Sequence, residues 1–87
     1  MQITLYTTTT CQPCRLVANK FAAQGVAFEK VTLDLKENAE LLAALKARLG
    51  AETLHTPLLE VDGAVVMQGL NPGAVAQVIA DYKEATK

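Results

Sequence analysis

The chain has little that would suit it to nucleic acid, a membrane or a metal. Its eight Lys and Arg residues are scattered and nine Asp and Glu leave a formal net charge of −1. No concentrated basic face is therefore available for a phosphate backbone, and nucleic acid is excluded as the main partner. No apolar run is long enough to cross a bilayer, and there is no internal repeat, linker or low-complexity segment. Only two cysteines and one histidine are present, too few in one chain for the four ligands that structural zinc prefers. A metal-binding or structural C-x-x-C module would need a second subunit. A disulfide-stapled scaffold is equally unnecessary, because a domain of 87 residues buries roughly two thirds of its unfolded surface without covalent help. Met1–Tyr6 lacks a basic stretch followed by a long apolar run and reads as a strand, not an export signal. The expected location is a reducing cytoplasm, where C-x-x-C near a βαβ pattern points to redox chemistry.

What the chain does have is Cys11-Gln12-Pro13-Cys14, which holds both cysteines. The motif sits where a strand gives way to a helix. Ile3 and Leu5 alternate with Gln2, Thr4 and Tyr6, and the run Thr7–Thr10 leads into the cysteines. From Gln12 to Gln24 the spacing of Cys14, Val17, Ala18, Phe21 and Ala22 is helical; Pro13 is tolerated in a first turn and Gly25 supplies a stop. Ala27 to Leu33 is β-rich, and Asp34 followed by Glu37 resembles a capping box for a second helix carrying Leu41, Leu42, Leu45 and Leu49 as a core stripe. After Gly50, His55-Thr56-Pro57 opens a strand through Val61, and Asp62-Gly63 is a hairpin turn into Ala64–Met67. Asn71 can cap a last helix with Pro72 at its first position, Leu70 and Val75 at staple spacing, and an apolar stripe of Val75, Val78, Ile79 and Tyr82. The predicted order is β-α-β-α-β-β-α. A right-handed first βαβ unit followed by a hairpin gives one α/β domain over residues 1–87, with a four-stranded mixed sheet and helices on both faces.

Position assigns chemistry within the motif. Cys11, at the exposed helix start, is expected to be the nucleophile, because the helix N-terminus favours a thiolate and only the thiolate attacks a disulfide. Cys14, one turn further in, is expected to resolve the mixed disulfide. Arg15 is the only charge beside the motif in sequence; it either assists the thiolate or is a solvated surface residue. No carboxylate lies in the first strand or the loop before Cys11, so a proton acceptor for Cys14 is not visible. His55 reads as a solvated loop residue and Met67 as core.

Strand, C-x-x-C at a helix start, Thr-Pro before the third strand, hairpin, and a Gly-containing loop into the last helix together resemble the glutaredoxin branch of the thioredoxin superfamily, over nearly the whole chain. Within it the chain looks most like the NrdH-redoxins. The resemblance implies a thioredoxin-like fold, a redox-active Cys11–Cys14 disulfide and no bound cofactor. It implies electrons that come ultimately from NADPH through thioredoxin reductase and pass to ribonucleotide reductase or another disulfide-containing protein. It also implies that Pro57 is cis beside the cysteines and leaves the backbone of Thr56 free to pair with an extended substrate. Dithiol glutaredoxins usually show C-P-Y-C with a preceding cation, both of which help hold glutathione; Gln12, Pro13 and threonines stand here instead. The NrdH pattern S-G-F-R-P is matched only at Gly69 and Pro72 of Gln68-Gly69-Leu70-Asn71-Pro72. Gly69 and Leu70 either contact a partner or simply form the strand-to-helix turn. The alternatives are a glutathione-dependent glutaredoxin and a structural or metal-binding module. A monomer is expected.

Overall fold

Strand β1 (Ile3–Thr7) divides the molecule, since its alternation sends Ile3 and Leu5 into one apolar cluster and Tyr6 into another. The computed structural model describes residues 1–86; Lys87, the last residue of the expected domain, lies outside them. After β1 come α1 (Gln12–Ala23), β2 (Glu29–Thr32), α2 (Ala39–Leu49), β3 (Leu58–Val61), β4 (Ala64–Gln68) and α3 (Pro72–Ala85). The sheet order is β2-β1-β3-β4, with β1 parallel to β2 and the other two pairings antiparallel. On one face α1 and α3 bring Val17, Phe21, Val75, Val78 and Ile79 onto Ile3, Leu5, Leu59 and Met67. On the other, Leu42, Leu45 and Leu49 of α2 pack with Tyr6, Leu33 and Leu58. This mixed four-stranded sheet with helices on both faces is the glutaredoxin-type thioredoxin fold implied by the resemblance.

Phe21 anchors the end of α1 away from the cysteines. It is fully buried and meets Phe28 edge to face, with ring centroids 5.4 Å apart. Burial of such a side chain stabilises by roughly 1.5–3 kcal/mol, enough to hold α1 against β1 and fix where its N-terminus emerges. At this same end of the sheet, away from the cysteines, Asp62 and Gly63 both have positive φ, 50° and 86°, as the tight turn between twisted strands requires. In β4 the pairs Leu59–Met67 and Glu60–Val65 leave Val66 as an extra residue. That bulge lets Val65 and Met67, two apart in sequence, join opposite clusters.

Three expectations need correction. Asp34 and Glu37 do not form a capping box. A 3-10 turn at Lys36–Asn38 precedes α2, neither start has a side-chain cap, and Asn38 Nδ2 instead donates to the Thr32 carbonyl at 2.7 Å. Leu41 and Ala22 are exposed, because each lies one residue, about 100° of helix rotation, from a residue that faces the sheet. The second strand is also shorter than Ala27–Leu33, since the parallel ladder with β1 runs only from Glu29 to Thr32.

Candidate active site

Cys11 is the N-cap of α1. Its backbone is extended, at φ −86° and ψ 106°, and its Sγ accepts a hydrogen bond from Cys14 N–H at 3.1 Å. An N-cap side chain usually offers oxygen to these unpaired first-turn amides; here sulfur occupies the position. Pro13 removes a donor that the first turn can spare. Cys14, one turn inward, is 2% exposed and is joined to Cys11 in a disulfide, their Cα atoms 5.3 Å apart. Cys11 keeps part of its surface open to solvent, and Gln12 beside it is exposed.

The loop before β3 supplies the second wall. Thr56 Oγ1 donates toward Cys11 Sγ at 3.8 Å, the Thr56–Pro57 peptide bond is cis, and Pro57 is fully buried. The Pro57 carbonyl accepts from Gly69 N–H at 3.0 Å, which ties the β4–α3 loop to this wall. Cys11, Cys14, Thr56, Pro57 and Gly69 thus converge, although 45 residues separate Cys11 from Thr56. Leu70, half exposed, opens onto an apolar groove with Leu16, Val17, Lys20, Pro72 and Val75, on another face of α1. His55 is exposed on its loop and Met67 is buried in the core.

Two charged residues of the site were not visible in the local sequence. Parallel pairing sets Lys30 beside Leu5 and Thr32 beside Thr7, on the face that carries α1. Lys30 therefore lines, with Thr7, Cys11, Cys14, Arg15 and Thr32, a groove of about 370 Å³ along the disulfide. Arg15 is not the only charge there. Asp34, just past β2, accepts from Thr9 N–H at 3.1 Å and from Thr9 Oγ1 at 2.6 Å. It pins the threonine loop that delivers Cys11. The Thr9 hydroxyl, and then the Thr9 amide, hold the Asp34 carboxyl below its ordinary value by stabilising the charged form. Asp34 does not line the disulfide groove. Among the described residues no three His, Cys, Asp or Glu side chains are grouped to hold a metal ion, and no helix is long and apolar enough to cross a membrane.

Comparison with known proteins agrees with this geometry. The glutaredoxin family model matches residues 3–66. The fold is similar to that of the NrdH-redoxin from Escherichia coli, at TM-score 0.73 and 23% identity over 90% of this chain and 95% of that one. It is similar to a wheat glutaredoxin, at TM-score 0.74 and 22% identity over 95% and 79%, and to the thioredoxin-like protein BC3987, at TM-score 0.71 and 26% identity over 88% and 99%. No curated protein sequence matches the chain. With a family model spanning most of its length and a disulfide-linked C-x-x-C at the start of α1, the chain belongs to the glutaredoxin family and is a thiol-disulfide oxidoreductase.

Proposed function

We propose that the protein is a dithiol electron carrier of the cytoplasm that reduces protein disulfides, is recharged by thioredoxin reductase at the expense of NADPH, and counts ribonucleotide reductase among its clients. The observation that carries this reading is the asymmetry of the two sulfurs: Cys11 is partly exposed at the helix N-cap, whereas Cys14 is buried one turn inside. In the reduced protein the Cys11 thiolate attacks one sulfur of a client disulfide. A mixed disulfide forms, and the client's other sulfur leaves as a thiolate that takes a proton from solvent. Cys14, having lost its proton to water, then attacks Cys11 Sγ. The Cys11–client bond breaks, the second client thiol departs, and the Cys11–Cys14 disulfide remains. Two electrons have passed to the client, and a reductase returns two to the pair. Thr56 and Pro57 form the wall against which an extended client segment would lie, with Gln12, Pro13 and Gly69 at its edges.

A protein reductase is favoured over glutathione because Gln12 and Pro13 stand where glutathione-dependent relatives carry proline and tyrosine. The similar NrdH-redoxin from Escherichia coli is described as having a thioredoxin-like activity profile. One observation favours glutathione: Lys30 returns a cation to the neighbourhood of the disulfide. The test compares NADPH oxidation driven by thioredoxin reductase with recharging by glutathione and glutathione reductase, using insulin as the disulfide substrate. The carrier reading expects turnover with thioredoxin reductase and little with glutathione; the reverse result would replace it with the glutathione-dependent reading.

A further inference from the structure

The groove between α1 and the edge strand β2 is unlike the rest of the surface. It is lined by the hydroxyl-bearing pair Thr7 and Thr32, by the Cys11–Cys14 disulfide, and by the exposed residues Arg15 from the helix and Lys30 from the strand. No carboxylate lines it. Among the described residues neither the Arg15 nor the Lys30 side chain has an ion-pair or hydrogen-bond partner, although the whole chain carries a net charge of −1. Glu29, the acid nearest Lys30 in sequence, falls on the opposite side of the pleat, where it acts on Tyr6. A lysine on an edge strand discourages strand pairing, but that role needs no second cation across the groove and no adjoining row of hydroxyls. Two unpaired cations beside a sulfur under attack form a receptor for negative charge.

We propose that this groove selects clients that carry aspartate or glutamate next to the disulfide to be reduced, with Lys30 and Arg15 pairing with those carboxylates while Cys11 engages the sulfur. The proposal rests on the dithiol-carrier reading and adds to it the chemistry of the partner. Each exposed ion pair is worth roughly a 1.4- to fivefold change in an equilibrium or rate, so the two together give a preference of about two- to twentyfold.

The experiment uses the reduced full-length protein and two cyclic disulfide peptides that differ only in having Asp or Asn beside both cysteines. Each rate constant is divided by that of the same peptide with dithiothreitol, which removes the intrinsic effect of the neighbouring carboxylates. The expected result is a preference of about two- to twentyfold for the Asp peptide. It falls markedly at about 1 M salt, where the screening length is about 3 Å, and toward unity in the double variant Arg15→Gln, Lys30→Gln. It persists in Lys83→Gln, a cation on α3 whose ammonium is bonded to Gln24. Equal normalised rates for the two peptides in the wild-type protein, or a preference that survives the double variant or is undiminished by the salt, would overturn the proposal. The salt arm needs no mutant. Reduction of the Asn peptide but not preferentially the Asp peptide defeats this inference alone, whereas failure to reduce either defeats the carrier reading beneath it.

Discussion

Gly69→Ala probes the joint that holds the β4–α3 loop against the active-site wall. Gly69 has φ +79°, where an L side chain costs about 1–2 kcal/mol because its Cβ crowds the backbone. The surroundings add little: a methyl group there would first meet His55 Cβ at 3.6 Å, an ordinary van der Waals contact. The penalty is therefore a backbone penalty of about 1–2 kcal/mol, and for a domain of this size it corresponds to a fall in melting temperature of about 4–15 °C. Asn tolerates the same conformation better, so Gly69→Asn should lose less than half as much. If the alanine variant relieves itself by moving off positive φ, the bond from Gly69 N–H to the Pro57 carbonyl breaks, and insulin reduction should slow together with the loss of stability. The assay is thermal and urea denaturation of the three oxidised proteins, followed by reduction rates. Alanine and asparagine variants of equal stability, or an alanine variant as stable as wild type, would refute the reasoning.

Asn71→Ala removes the cap whose Oδ1 accepts from Gly73 N–H and Ala74 N–H at 3.1 and 3.3 Å; a loss of about 1 kcal/mol is expected in urea denaturation. Tyr6→Phe deletes the hydroxyl that donates to Glu60 Oε2 at 3.2 Å, while Glu60 keeps Arg48, and should cost about 1 kcal/mol near neutrality. Burial first, and then the nearby Glu60, raise the Tyr6 pKa above its ordinary 10.0. Because the folded state holds that proton more tightly, Tyr6's contribution is complete below pH 10 and is lost as pH rises through the raised value; the Phe variant should show a shallower alkaline decline. Asp34 behaves oppositely. Its carboxyl is held below the ordinary 3.8, so its grip on Thr9 is complete above that pH and is lost as pH falls through the lowered value. A lower protection factor at the Thr9 amide, its exchange rate taken relative to the intrinsic rate at the same pH, is the expected signature in acid and, at neutral pH, in Asp34→Ala.

The order of elements, the placement of the cysteines at a helix start, the Asp62-Gly63 turn and the Asn71 cap were all legible because each is a local pattern of alternation, helical spacing or turn chemistry. Asp34 was misread for the same reason. An aspartate three residues before a glutamate has the spacing of a capping box, and only the return of the chain beside β1 brings it to Thr9, 25 residues away. Lys30 was missed because its place at the disulfide depends on which strand pairs with β1 and in what register; a shift of one residue would send it to the other face. Leu41 shows the limit of the helical pattern itself: four leucines fit a stripe, but α2 needs only Leu42, Leu45 and Leu49 to cover its side of the sheet.

The central claim is that Cys11 attacks and Cys14 resolves. Cys14→Ser protein, reduced and mixed with a disulfide client, should accumulate a covalent adduct through Cys11, visible by intact mass and reversed by dithiothreitol, whereas Cys11→Ser should form none and reduce nothing. An adduct on Cys14 in the Cys11→Ser protein, or full turnover without Cys11, would contradict the account.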